Sequence, residues 1–109
     1  MSIRLPPPID LYFSSENVHD PSAVERCFVA DGIVRDEGKT ITGVAAIKTW
    51  RVETSAKYHH TVEPLAVSTR DGRVVVTGKV SGDFPGSPVN LEHIFEIEDG
   101  RIVSLEIRP

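Results

Sequence analysis

The sequence predicts an α+β domain in which helices cover one face of a mostly antiparallel sheet. Three observations carry that prediction. The first half of the 109-residue chain holds apolar residues at helical spacing behind proline-containing start signals. From His59 onward, apolar and polar residues alternate in runs of strand length. Asp71-Gly72 and Asp99-Gly100 separate some of these runs, and both pairs suit tight hairpin turns.

LPPPIDLYFSSEN places its prolines where a helix tolerates them, in the first turn, and sets Ile9, Tyr12 and Phe13 on one face. This predicts a first helix over residues 8–17, and only residues 1–7 precede it to help close any pocket. In DPSAVERCFVADG, Asp20 serves as N-cap and Pro21 takes the first helical position. Val24, Cys27 and Phe28 form the stripe of this second helix, with Gly32 as its stop signal. Residues 33–36 and 39–42 flank Glu37-Gly38 and read as a short hairpin. A third helix follows, capped by Thr42, with Val44, Ile47, Trp50, Thr54 and Tyr58 along its inward face.

HHTVEPLAVST, RVVVTGKVSG, NLEHIFEIE and RIVSLEI then read as a terminal four-stranded meander. Pro64 has no N–H to give to a ladder, which implies an edge or a bulge in the first of these strands. The connection DFPGSPV is the one loop large enough to act as a lid. In the second of the four, Val74, Val76 and Val80 share one face while Val75 and Thr77 share the other. The helices can cover only one of these faces, so a second copy across the outer sheet face, a homodimer, is expected.

A chain of this length is expected to fold as one domain over residues 1–109, around a single core. It shows no long apolar run and no charged-then-apolar leader, so a soluble cytoplasmic protein without a membrane partner is expected. The net charge of −4 argues against a nucleic-acid partner, which requires a basic face. Cys27 is the only cysteine, which excludes an internal disulfide, and its place on an apolar stripe reads as core rather than nucleophile. His59 and His60 are adjacent on a predicted strand and point to opposite faces. With no second ligand cluster, no metal site is expected.

FVADGIVRDEG, a following strand and ITGVAAIKTW resemble the nuclear transport factor 2-like superfamily, especially its ketosteroid isomerase-like and SnoaL-like branches. The resemblance runs from about Leu11 to Ile107 and includes the terminal D-G-R-I. It implies a cone-shaped α+β barrel, with three N-terminal helices packed on a strongly curved, mostly antiparallel sheet that encloses a pocket. It also implies cofactor-free chemistry on a small apolar molecule, as isomerase, cyclase or hydrolase. The same fold also serves proteins without chemistry, so a non-catalytic ligand-binding or dimeric assembly domain is the alternative. Within the ketosteroid isomerase pattern, the general base falls on Asp36 and the oxyanion donor on Tyr12. The third position, an aspartate in that family, falls on His93 by strand alternation, and a one-residue slip would offer Glu92 instead.

The residue types fit such chemistry. Moving a proton from carbon beside a carbonyl requires a base of suitable pKa and a donor where charge develops. Asp36, desolvated in a pocket walled by Phe13, Trp50 and Phe95, would supply the first; Tyr12 or His93 would supply the second. Each has a plainer reading: a turn aspartate before Glu37-Gly38, a core tyrosine and a core histidine. Tyr58 and His60 share a face and are expected at the pocket, though the pattern leaves open which of His59 and His60 points inward.

Overall fold

The computed structural model describes residues 4–109, so Met1, Ser2 and Ile3 of the short leading segment lie outside it. Helix α1 (Pro7–Asn17) opens with proline in its first turn and buries Ile9, Tyr12, Phe13 and Glu16. A 3-10 turn (Pro21–Ala23) and a short α2 (Val24–Cys27) lead into β1 (Phe28–Asp36), β2 (Lys39–Thr42) and α3 (Val44–Tyr58). The chain ends in β3 (Thr61–Arg70), β4 (Arg73–Ser81), β5 (Val89–Glu98) and β6 (Arg101–Arg108).

The strands form one six-stranded sheet in the order β2-β1-β6-β5-β4-β3. Only the β1–β6 pair is parallel. The sheet does not close on itself, and the helices pack against its inner face to give the cone-shaped α+β fold. Ile9, Tyr12 and Phe13 of α1 meet Val76, Phe95 and Leu105 of the sheet in the core. The three hairpin turns each hold two consecutive residues at positive φ: Glu37-Gly38, Asp71-Gly72 and Asp99-Gly100. This matches the twist of the flanking strands. Pro64 satisfies both expectations: it lies in edge strand β3, and the register shifts between Pro64 and Ala66.

Three boundaries differ from the sequence expectation. The second helix ends at Cys27, not near Gly32, because Phe28 turns to extended backbone (φ −104, ψ 151) and pairs with Ile102 of β6. A parallel ladder with a distant strand outweighs a helical stripe only a few residues long. Gly32 is therefore a strand residue at a register shift, where a Cβ would stand 2.9 Å from the Phe28 ring. Thr42 does not cap α3. It closes β2, and the cap is Gly43 at φ 94, a conformation that disfavours any residue with a Cβ. The first meander strand begins at Thr61, because His59 ends α3 in the left-handed region (φ 48, ψ 45).

Val76 pairs with His93, and His93 with Ile107, in one inward-facing row. Val75 and Ile94 are paired on the opposite face. That outer face is only partly apolar, since Glu92 joins Arg70 at 2.8 Å and Arg108 at 3.8 Å, and Arg73 stands 3.8 Å from Glu96. Among the described residues no helix is long and apolar enough to cross a membrane.

Candidate functional site

Between α3, the end of α1 and the inner faces of β4–β6 lies a cavity of about 440 Å³. Val62, Val80, Leu91 and Ile107 supply apolar wall, and Phe84 and Pro85 of the DFPGSPV connection form part of its border. Its polar lining includes Glu16, Asp36, His60 and His93, from four separate parts of the chain, with Glu37, Thr54 and Arg108 also on its border.

Asp36 is the last residue of β1, opposite Lys39 across the hairpin, and half-buried at the cavity wall. Burial pushes its carboxyl pKa above the usual range, the neighbouring Glu37 adds to this, and the Trp50 indole N–H works against it. More distant Glu16 raises it further while His60 lowers it. Trp50 and Tyr58 of α3 line the cavity as expected.

His93 faces inward on β5, 2 % exposed, with its ring edge-on to Phe13 at 5.1 Å. Gly78 on β4 makes room for it, since a Cβ there would stand 3.1 Å from the imidazole Cε1. Burial lowers the His93 pKa, so the ring is neutral at neutral pH, and its Nδ1 has no protein partner. The alternative register is excluded, because Glu92 points outward into its ion pairs with Arg70 and Arg108.

The left-handed turn at His59 separates the two adjacent histidines. His59 stays exposed beside Asp83 (3.1 Å), whereas His60 turns inward to line the cavity. Its Nε2 meets Glu16 Oε2 at 2.8 Å, and both side chains are only 10 % exposed. Asn17 fixes this junction from the end of α1. Its amide donates to the Val62 carbonyl (2.9 Å) and its side-chain oxygen accepts from the Val62 N–H (2.7 Å), like one rung of an extra strand.

Tyr12, Phe13 and Phe95 were expected at the pocket and instead stand in the core behind its wall. Tyr12 is fully buried, with Phe13, Phe28 and Phe95 around its ring at 5.2, 6.1 and 5.6 Å. The Arg51 guanidinium lies over the ring at 4.5 Å from its centre. Burial drives the phenol pKa well up, Glu16 adds to this and the neighbouring Arg51 guanidinium works against it, but the hydroxyl makes no hydrogen bond of good geometry. Aromatic packing decides this placement: α1 lies flat enough on the sheet for Tyr12 to fill the layer between helix and strands.

Two polar residues escaped the sequence reading. Glu16 follows Tyr12 by four residues, and Arg51 follows Ile47 by four, so each is a charged residue on an otherwise apolar helical stripe. Arg51 is buried, donating to Ser15 Oγ at 2.7 Å and to the Tyr12 carbonyl at 3.0 Å, which ties α3 to α1. Cys27 is buried in the core, and desolvation lifts its thiol to about 11, consistent with the packing role read from its stripe. Among the described residues no three His, Cys, Asp or Glu side chains are grouped to hold a metal ion.

Residues 9–105 match the SnoaL-like domain family. No curated protein matches the sequence. Among solved structures, a Sinorhizobium meliloti protein provisionally assigned as a polyketide cyclase is similar at 40 % identity and TM-score 0.91, with 95 % of each chain covered. A Catenulispora acidiphila protein with a ketosteroid isomerase-like fold, in complex with trimethylamine, is similar at 20 % identity and TM-score 0.84, over 97 % of this chain and 87 % of that one. An LEH-like epoxide hydrolase of Mycobacterium tuberculosis shares the fold at 15 % identity and TM-score 0.76, over 94 % of this chain and 79 % of the other. With this match and this architecture, the chain has the nuclear transport factor 2-like fold and belongs to the SnoaL-like domain family.

Proposed function

We propose that this protein is a cofactor-independent acid–base catalyst for a small, largely apolar carbonyl compound, with Asp36 moving the proton. The observation that carries this reading is a half-buried carboxyl with a raised pKa on the wall of a mainly apolar cavity of about 440 Å³. A base works best when its pKa approaches the working pH, and burial moves Asp36 in that direction. The similarity to a provisional polyketide cyclase supports a carbonyl substrate, and cyclase and hydrolase reactions would use the same carboxyl.

The test is exchange of carbon-bound protons. The enolisable ketone 2-tetralone is incubated in D2O with the protein, and loss of its α-proton signal is followed by NMR. Wild type should accelerate the exchange and Asp36→Asn should not; equal rates would overturn the proposal. A second reading, ligand binding without turnover, is favoured by the Tyr12 hydroxyl, which is fully buried behind the wall. It predicts saturable binding of such ketones, retained in Asp36→Asn, with no exchange in either protein.

The proposal includes a cytoplasmic location, checked by cell fractionation, and a homodimer through the outer sheet face. Val75 and Ile94 are the apolar centre of that face, since Val76 points into the core. Ile94→Lys should convert a dimer to monomer in light scattering. A monomeric wild type would remove the dimer from the proposal.

A further inference from the structure

Asp36 alone does not complete a proton-transfer site. As a proton leaves the carbon beside a carbonyl, the oxygen gains charge and needs a donor, and Tyr12 is shut off behind the wall. We propose that His60, held by Glu16, is the group that serves the substrate oxygen, so that the cavity has two acid–base elements on different walls. This inference rests on the reading of Asp36 as the proton-transferring carboxyl.

The geometry supports His60 in several ways. Both members of the pair line the cavity, and their contact is a 2.8 Å hydrogen bond between groups that are each 10 % exposed. That contact engages Nε2 and leaves Nδ1, itself a buried atom, as the one ring nitrogen without a protein partner, on a residue that, unlike Tyr12, lines the cavity. The ring is anchored from both sides, by the His59 turn on its own chain segment and by the Asn17 clamp on Val62. His93 is less suited: its ring is wedged between Gly78 and Phe13, and no carboxylate is hydrogen-bonded to it. The Glu16–His60 pair also borders a second cleft, of about 430 Å³, walled in part by His19, Arg51 and Ser55. This gives the pair a side from which protons can be exchanged.

In the enolisation step, the Asp36 carboxylate takes the α-proton, and the C–H electron pair becomes the new C=C bond. The carbonyl π pair moves to oxygen, whose developing charge is met by a hydrogen bond from His60 Nδ1–H while Nε2 stays in its contact with Glu16. In the return step Asp36 delivers its proton to carbon and the electron pair on oxygen re-forms the carbonyl. No other reactant is consumed. The substrate class is a neutral apolar ketone whose oxygen lies against His60 while its α-carbon faces Asp36.

The test has two arms. In the first, protein carrying 15N-labelled histidine is titrated with 2-naphthol, a stable mimic of an enol. The Nδ1 resonance of His60 should move on binding, and the movement should be lost in Glu16→Gln and partly kept in Glu16→Asp. In the second arm, His60→Gln should slow deuterium exchange of 2-tetralone about 100-fold in kcat, with KM little changed, as expected for loss of one oxyanion donor. If His60→Gln exchanges at the wild-type rate while Asp36→Asn is inactive, the His60 inference falls and the Asp36 reading stands. If wild type shows no exchange, the Asp36 reading falls, and an unmoved Nδ1 in the naphthol titration overturns the His60 role by itself. The titration uses wild type, so it remains decisive should His60→Gln not fold.

Discussion

Tyr12→Phe separates a core tyrosine from a catalytic one with a single atom. The hydroxyl is fully buried and unpartnered, and an unpaired buried polar group costs about 1–3 kcal/mol. Removing the oxygen forfeits a few dispersion contacts, each worth about 0.1–0.2 kcal/mol, and leaves the edge-to-face ring contacts in place. The net expectation is a gain of about 1 kcal/mol. For 109 residues the unfolding entropy near Tm is about 0.2 kcal/mol/K, so Tm should rise by about 4 °C. Calorimetry and urea titration at neutral pH read this directly, and 2-tetralone exchange should stay at the wild-type rate. A Tm that falls by several degrees, or exchange that collapses, would show that the hydroxyl makes a hydrogen bond in solution and would return it to the site.

Asp36→Asn should stabilise the protein at neutral pH. The folded carboxyl holds its proton more tightly than the unfolded one, so the native state binds more protons between the two pKa values. Wild-type stability therefore falls as pH rises through that window, and the advantage of Asn should vanish below the unfolded value of 3.8; urea midpoints across pH would reveal the opposite slope if the carboxyl were paired. Gly78→Ala sets a Cβ 2.8 Å from Val62 Cγ1 and 3.1 Å from the His93 ring, so it should cost about 1–3 kcal/mol in a urea titration and shift the His93 NMR resonances. Unchanged stability and resonances would mean that the cavity wall is looser than these distances imply. Asn17→Ala breaks both bonds to Val62 and should cost about 1–2 kcal/mol, with faster amide exchange at Val62; unaltered exchange there would remove the clamp from the account.

Much of the fold was legible because its signals are local. Asp71-Gly72 and Asp99-Gly100 mark their hairpins with residues that tolerate positive φ, and alternation along β5 put His93 inside and Glu92 outside. The boundary after Cys27 was not legible, because Val29, Ala30 and Asp31 fit a short helix as well as a strand. Only the β6 ladder, formed by the end of the chain, decides between them. Asp36 was singled out by the ketosteroid isomerase-like pattern at the end of its strand, whereas strand alternation left open which of His59 and His60 points inward, because the left-handed turn at His59 that decides it has no sequence signal. Glu16 was invisible to a count of apolar spacing, since its role depends on a histidine 44 residues away. Tyr12 was misplaced for a related reason: a family pattern gives the order of residues along the helix, while its depth behind the cavity wall depends on how α1 packs against the sheet.

The polar side of the cavity draws on α1, the end of β1, the entry to β3 and the middle of β5, so no fragment of the chain contains it. Any molecule that binds there must hold the whole domain in its folded state, and binding becomes readable as heat resistance. At a concentration 100 times Kd, a ligand adds about 2.7 kcal/mol. For a domain of this size that is a melting shift of roughly 10 °C. A library of small ketones, phenols and amines can therefore be sorted by melting temperature alone, and the compounds that raise it identify the cavity's preferred chemistry before any reaction has been assayed.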